Sequence, residues 1–92
     1  MVFYLFLLQE LFSQHAQKFL DKLDLHIKNR IENTLKRLEN NPVPSDSKFI
    51  GRDGGEKIFR YRIGDYRALY SINEKNKIIL VMKIDKRPRV YD

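Results

Sequence analysis

The chain has 92 residues, contains no cysteine and has only two histidines, His15 and His26. The absence of cysteine excludes a disulfide framework and a thiolate metal site. Two histidines are also too few for us to expect a histidine-based metal site. The sequence has no P-loop, no dinucleotide-binding fingerprint and no Ser/His/Asp arrangement, and its acidic residues form no paired motif for acid–base chemistry. We therefore expect neither a metal ion nor a cofactor.

Long apolar runs are also missing. The most apolar run is Val2–Leu8 (VFYLFLL), with seven residues, whereas a membrane-spanning helix needs ~20. No basic region precedes this run and no small-residue cleavage site follows it, so a signal peptide is not expected. We interpret the run as a buried strand, although its periodicity leaves a helical start open. Together with the lack of cysteine, these features predict a cytoplasmic protein without a membrane partner.

Basic residues are concentrated in the second half of the chain. The formal net charge is +6; residues 1–47 carry six Lys/Arg and six Asp/Glu, whereas residues 48–92 carry twelve and six. A one-sided excess of this kind is the usual electrostatic footprint of a nucleic-acid binder. A soluble protein that merely happens to be basic is the alternative interpretation. The length and the hydrophobic content of 42% predict one domain over residues 1–92 with a modest core.

The first half of the chain carries two amphipathic helical patterns. Ser13 is a suitable N-cap for the first helix, and Asp24 for the second. The apolar stripes at helical spacing are Ala16, Phe19, Leu20 and Leu23, then Ile27, Ile31, Leu35 and Leu38. Pro42 ends the second helix, because proline disfavours helical geometry in the residue before it. The short connection at Asp24 predicts a tight antiparallel helical hairpin.

The pattern then changes to the period of two that is typical of strands. Lys57–Ile63 and Tyr66–Asn73 alternate between apolar and polar residues, with a hairpin signal at Gly64-Asp65. Ile78–Met82 (IILVM) is a continuous apolar run, which predicts a central strand buried on both faces. Before these, Lys48–Ile50 is a candidate extended piece, and residues 51–56 (GRDGGE) form a glycine-rich turn. The order predicts an α+β fold, with a helical hairpin packed on a small, mostly antiparallel sheet of about four strands.

Strand alternation places three arginines on one face of this sheet, namely Arg60, Arg62 and Arg67. The aromatic residues Phe59, Tyr61, Tyr66 and Tyr70 face the other way, towards the helices. Arg87 joins the arginines if the last strand alternates as Lys83, Asp85, Arg87. The guanidinium group matches the geometry of phosphate, and a cluster of such groups repels itself without an anion. We therefore expect a polyanion, with RNA favoured; the alternative is that each arginine is a solvated residue paired with a nearby carboxylate.

The segment Phe59–Tyr70 (FRYRIGDYRALY), the apolar strand and the ending Lys86-Arg87 with Val90-Tyr91 together resemble the RelE/ParE toxin superfamily. The resemblance covers residues 7–91 and favours the RelE-like branch. It implies a RelE-like fold and a type II toxin that is an endoribonuclease of ribosome-bound mRNA, which inhibits translation. It also implies a partner, an acidic RelB-like antitoxin, often in a heterotetramer. A ParE-like inhibitor of DNA gyrase and an inactive antitoxin-binding relic remain the alternatives.

The resemblance also implies roles for individual residues. Arg60 would contact phosphate, Arg67 would stabilise the charge of the transition state, and Arg87 would act as leaving-group acid or phosphate stabiliser. Tyr91 would be the general base; without the resemblance, an aromatic anchor of the core is the simpler interpretation of this tyrosine. The further candidate RNA contacts are Lys48, Lys57, Arg62, Lys83 and Lys86.

Overall fold

A computed structural model describes residues 8–87, in which two helices pack on one sheet of five strands. The strands are β1 (Gln9–Phe12), β2 (Lys48–Asp53), β3 (Glu56–Ile63), β4 (Tyr66–Asn73) and β5 (Ile78–Lys86). The helices are α1 (Gln14–Asp21) and α2 (Leu25–Lys36), and a 3-10 turn, Arg37–Glu39, extends α2. The strand order is β1-β5-β4-β3-β2, with β1 parallel to β5 and the other pairs antiparallel. The α+β prediction is confirmed, with one strand more than expected.

The first strand of the described residues begins just after the most apolar run. β1 starts at Gln9, and Leu8 is the one residue of Val2–Leu8 that lies in the described part, where it is buried just before the strand. The interpretation of residues 2–7 as a strand lies outside the described residues. β1 adds to the edge of the sheet by pairing with β5, with Leu11 opposite Leu80.

Ser13 connects β1 to α1, and its side chain makes two hydrogen bonds that hold the start of the helix in place. Its Oγ accepts a hydrogen bond from the backbone N of Ala16 at 3.0 Å, which is the predicted cap. The same hydroxyl donates to the carbonyl O of Met82 at 2.7 Å, so the start of the helix is tied to β5. Asp24 stands at the N-cap position of α2 but makes no side-chain capping hydrogen bond. The position of this second cap is confirmed and its expected hydrogen bond is not.

The core lies between the helices and one face of the sheet. Both predicted helical stripes contribute, with Ala16, Leu20, Ile31, Leu35 and Leu38 buried and Phe19, Leu23 and Ile27 packed against them. From β3 and β4 come Phe59, Ile63, Tyr66, Ala68, Tyr70 and Ile72. The Tyr70 hydroxyl donates to the carbonyl O of Pro42 at 2.7 Å, which holds the loop after α2 against the sheet.

The glycine-rich turn before β3 is shorter than predicted. β2 extends to Asp53 and β3 begins at Glu56, so only Gly54 and Gly55 lie between them, with φ angles of 58° and 86°. Such positive values favour glycine, which has no Cβ. The extended piece predicted at Lys48–Ile50 therefore continues as a full edge strand, with a bulge at Ile50, between Phe49 and Gly51.

A bulge also changes the alternation of β5. Leu69 is paired with Lys83 and Tyr70 with Val81, so Met82 is the extra residue. Ile79 and Val81 before the bulge and Ile84 after it are therefore all fully buried on the helix side. Ile78 and Leu80 point to the other face and are only half-buried. The prediction that this strand is buried on both faces is therefore confirmed for the helix side and wrong for the other face, which no described helix covers.

Candidate functional site

The sheet surface opposite the helices, called the open face below, carries most of the predicted site residues. One row across the strands is Lys48, Arg60, Leu69 and Lys83, and the next is Arg62, Arg67 and Asp85. Adjacent strands are ~4.8 Å apart, so neighbours within a row are in close proximity. The bulge at Met82 brings Lys83 and Asp85 to this face, because strict alternation from Val81 would turn both towards the helices.

Two shallow cavities open on this surface. The first, called the arginine cavity below, has a volume of about 270 Å³ and is lined by Ile50, Arg60, Arg67, Leu69, Lys83 and Asp85. The second has a volume of about 300 Å³ and is lined by Asp46, Lys48, Arg60 and Arg62. Arg60 lines both, so the two cavities form one cationic track from β5 to the edge strand β2.

The arginines of this track form no ion pair with a carboxylate of the described residues, although Asp85 lies in the same cavity. The ion pairs among residues 8–87 are Lys28–Asp21 at 2.9 Å, Lys36–Glu39 at 3.4 Å and Lys83–Asp85 at 3.5 Å. None of them includes Arg60, Arg62 or Arg67. This observation counts against the alternative in which each arginine is paired locally. A cluster of fixed, unpaired guanidinium groups favours the binding of an anion with several negative charges.

Arg87 lies at the end of the track and not in the arginine cavity. It follows β5 directly, and its backbone N donates to the carbonyl O of Asp65 at 2.6 Å. Its Nη1 donates to the carbonyl O of Gly64 at 3.4 Å. The side chain is thus held beside the turn between β3 and β4, next to the end of the row that contains Arg67.

Two of the predicted phosphate contacts lie on the other side of the sheet. Lys57 is paired with Ile72 and Lys86 with Tyr66, and both partners face the helices. Lys57 instead lines a separate cavity of about 340 Å³ at the far end of the sheet, together with Arg52 and Lys75. The structure therefore brings Lys48, Arg60, Arg62, Arg67 and Lys83 together and leaves Lys57 and Lys86 apart. Tyr91 lies outside the described residues.

The open face also has residues that we did not predict for the site. Asp85 is in register with Arg67 and lines the arginine cavity; the predicted alternation Lys83, Asp85, Arg87 already contained the signal for it. A row that is apolar except for the buried Ser71 runs beside the cations and contains Ile58, Leu80 and Leu11; it is called the apolar row below. Leu11 is 40% exposed, and Ile50 of the neighbouring edge strand is 49% exposed. The open face therefore offers apolar contact as well as charge.

The two groups of residues 8–87 with the largest pKa shifts lie away from this face. Burial raises the pKa of the Tyr70 hydroxyl to about 12. Burial, together with the nearby carboxylate of Glu39, raises the pKa of Glu10 to about 7. Glu10 belongs to β1, and its backbone N donates to Glu39 Oε2 at 2.8 Å. Both groups therefore concern the stability of the helix side and not the chemistry of the open face.

Neither helix of residues 8–87 is long and apolar enough to cross a membrane. The same residues contain no group of three or more His, Cys, Asp or Glu side chains that could hold a metal ion.

Comparison with known proteins identifies the family. The family model described as ParE toxin of type II toxin–antitoxin system, parDE, matches residues 11–91. The chain is 30% identical over 80 residues to the toxin candidate RelE1 of Methanocaldococcus jannaschii, covering 84% of this chain and 89% of that protein. It is similar to the RelE–RelB complex of Pyrococcus horikoshii, with a TM-score of 0.80, 30% identity, and 91% and 99% of the two chains covered. For the RelBE2 toxin–antitoxin complex of Mycobacterium tuberculosis, the TM-score is 0.70 at 26% identity, with 94% and 100% covered. The chain therefore belongs to the RelE/ParE superfamily and is a RelE-like toxin of a type II toxin–antitoxin system.

Proposed function

We propose that this toxin is an endoribonuclease that cleaves mRNA on the ribosome in the cytoplasm and so inhibits translation. The observation that carries the proposal is the track of unpaired arginines on the open face, with Arg60 and Arg67 in one cavity. Single-stranded RNA presents a phosphate at every nucleotide, and rigid guanidinium forks bind phosphate oxygens well. The likeness to RelE toxins supports the same activity.

The proposed chemistry needs charge stabilisation more than a metal ion. The ribose 2′-OH loses its proton to a general base and attacks the adjacent phosphorus, and the bond from phosphorus to the 5′ oxygen breaks. The products are a cyclic phosphate and a 5′-OH, whose oxygen receives a proton. Negative charge on the phosphate oxygens rises in the transition state, where fixed cations stabilise it most. Arg67 stands centrally for this role, between Arg62 and Asp85 in its row.

The other proposed roles follow from position along the track. Arg60 lines both cavities and would hold the phosphates of successive nucleotides. Lys48 and Arg62 would continue this contact, and Lys83 would add a cation on the opposite wall of the arginine cavity. Arg87, held beside the β3–β4 turn, would donate a proton to the leaving 5′ oxygen or stabilise the phosphate. Tyr91 as general base stays a prediction from the resemblance.

Lys57 and Lys86 need a different explanation if they contact RNA. They lie on the helix side of the sheet, so they cannot bind the phosphates that occupy the arginine cavity. A segment of ribosomal RNA that contacts the helix side of the toxin could bind these two lysines. Substitution of these lysines should therefore weaken ribosome association without a change in the cleavage step.

The proposed partner is an acidic, RelB-like antitoxin, since two of the similar structures are toxin–antitoxin complexes. The apolar row from Ile58 to Leu11 supports contact with protein, because phosphate recognition does not require it. Carboxylates of the antitoxin would complement the adjacent arginines. A heterotetramer of two toxins and two antitoxins is the proposed assembly.

The test is a map of mRNA 5′ ends after the toxin is induced, together with primer extension on mRNA bound to purified ribosomes. We expect new 5′-OH ends within translated codons and their loss in Arg67→Ala. The match to the ParE family model makes gyrase inhibition the second candidate. Intact mRNA together with DNA damage signalling would favour that candidate, and the absence of any growth defect would favour an inactive relic.

A further inference from the structure

We propose that Asp85 selects the base that enters the arginine cavity, and that it favours guanine. The inference rests on the proposed function as an RNA-binding toxin. It concerns a residue that the sequence pattern did not single out and that the scheme of phosphate-binding arginines does not use.

Asp85 occupies an unusual place for a carboxylate. It is in register with Arg67 across β4 and β5, and it shares the arginine cavity with the cations Arg60, Arg67 and Lys83. Its ion pair with Lys83 has an N–O distance of 3.5 Å, and both side chains are about half exposed, at 50% for Lys83 and 41% for Asp85. Within residues 8–87 the carboxylate has no shorter contact with a donor. Its oxygens are therefore open to hydrogen bonds from a ligand.

A negative charge at this position opposes phosphate binding. It partly cancels the potential of the surrounding cations and repels phosphate oxygens directly. A carboxylate here is thus unfavourable for a simple phosphate site, and it favours a partner that donates hydrogen bonds. An ionised carboxylate only accepts hydrogen bonds, and the donors that a nucleotide offers are base N–H groups and the ribose hydroxyls.

Among the four bases, guanine matches a carboxylate best. Its Watson–Crick edge presents two adjacent donors, the N1–H and the exocyclic amino group, which two carboxylate oxygens can accept together. Adenine and cytosine present one amino group beside a ring nitrogen that accepts, and uracil presents one N–H between two carbonyls. Unstacked bases of single-stranded RNA are commonly recognised on this edge.

The cavity has surfaces for the rest of the nucleotide. Leu69 is half-buried and Ile50 is 49% exposed, and both can contact the flat face of a base. Arg60 and Arg67 remain for the phosphates on either side. The cavity thus combines a carboxylate acceptor, two apolar side chains and flanking cations. This combination suits a nucleotide better than inorganic phosphate.

The test compares the wild type with Asp85→Asn and Asp85→Ala, and with Asp53→Asn as a matched charge control at the far hairpin. Each protein is titrated against ribosomes programmed with mRNA that carries 2′-deoxyribose in the codon to be cleaved, which removes the attacking 2′-OH and prevents cleavage. The codon position under test is G, A, C or U. A parallel titration uses free single-stranded RNA oligonucleotides with the same substitutions.

We expect the wild type and Asp53→Asn to bind the guanine form about tenfold more tightly than the uracil form, as is typical for a bidentate base contact. Asp85→Ala should bind all four forms equally. Asp85→Asn should lose the guanine preference, because an amide offers one donor and one acceptor and so matches part of the edge of every base.

Equal affinity of the wild type for all four bases in both titrations would refute the role of Asp85. So would a uniform gain in affinity in both Asp85 variants with the guanine preference intact, which is the result expected if the residue only pairs with Lys83. Guanine-dependent binding without any cleavage of normal mRNA would instead refute the endoribonuclease proposal and leave the inference standing.

Discussion

The two faces of the sheet share one backbone and differ in what their side chains do. On β5, Ile79 is fully buried against the helices while the next residue, Leu80, lies half-buried on the open face. On β4, the buried Ala68 follows Arg67, which lines the arginine cavity. Stability thus comes mainly from one face and the proposed chemistry from the other. Single substitutions should therefore separate the two properties, even when they change adjacent residues.

The largest expected effect is on activity, from the open face. Arg67→Ala should lower the rate of mRNA cleavage by about 10²–10³-fold, as the loss of one preorganised donor to a developing negative charge typically does. The melting temperature should stay within a few degrees of the wild type, because the removed guanidinium has no ion pair among the described residues. Primer extension and thermal melting on the same preparations measure both quantities. A large loss of stability would contradict the separation of the two faces.

The second prediction compares adjacent residues of β5. Ile79→Ala should lower the free energy of unfolding by about 2–5 kcal/mol, the usual range for a fully buried isoleucine. Leu80→Ala should lower it by clearly less, since this side chain is half-buried. Urea unfolding followed by circular dichroism gives both values. Equal losses would mean that the open face is covered to a similar extent as the helix side.

The third prediction concerns the hydrogen bond from Tyr70 to Pro42. Tyr70→Phe keeps the ring, which is stacked on Phe59 with centroids 5.6 Å apart, and removes the hydroxyl. The carbonyl of the buried Pro42 then loses its donor, which should cost about 1–3 kcal/mol. Chemical denaturation measures the loss, and cleavage activity at low temperature should be unchanged. A matched control is Tyr61→Phe, because the Tyr61 ring only packs at the margin of the core.

The smallest predicted effect is a pH dependence of stability from Glu10. Its pKa is raised from 4.5 to about 7 in the folded protein, and its Oε2 is buried without a hydrogen-bond partner in the described part of the chain. Between these two pH values the folded state binds a proton that the unfolded state does not, so stability falls as the pH rises through this interval. Since the group is partly exposed, the effect should be on the order of 1 kcal/mol.

Glu10→Gln should remove this dependence. The variant should match the wild type near pH 4.5 and be more stable at pH 8, as measured by urea midpoints at the two pH values. Asp53→Asn has the same change in formal charge and serves as the control. A wild type that gains stability from Glu10 at high pH would show that the carboxylate has a cationic partner.

Much of this arrangement could be predicted from local patterns. Alternation in β3 and β4 placed Arg60, Arg62 and Arg67 opposite the aromatic residues, and the hairpin at Gly64-Asp65 set their register. These elements are neighbours in sequence, so turn chemistry and periodicity determine how they pair. The helical stripes were predictable for the same reason, because a spacing of three and four residues defines one face of a helix.

Other features depend on distant parts of the chain. The parallel pairing of β1 with β5 joins the two ends of the described chain, and no local signal specifies it. The bulge at Met82 decides which β5 residues reach the arginines, and it becomes apparent only when the strand is aligned with β4. The full length of β2 was not predicted, because Gly51 lies within the strand and glycine is typical of turns. Asp85 belonged to the predicted alternation Lys83, Asp85, Arg87 but was given no role in the site, and the bulge is what turns it towards the arginines.

The pairing of β1 with β5 has a consequence for the synthesis of the toxin. Of the described strands, β1 leaves the ribosome first and β5 last. The Ser13 Oγ donates a hydrogen bond to the carbonyl O of Met82 at 2.7 Å, which ties the start of α1 to β5. The sheet and the anchoring of α1 to it cannot be completed until β5 has been translated and released, since a strand pair needs both members. The arginine cavity likewise needs Lys83 and Asp85 from β5. The cationic site is therefore incomplete until β5, the last of the described strands, has been synthesised.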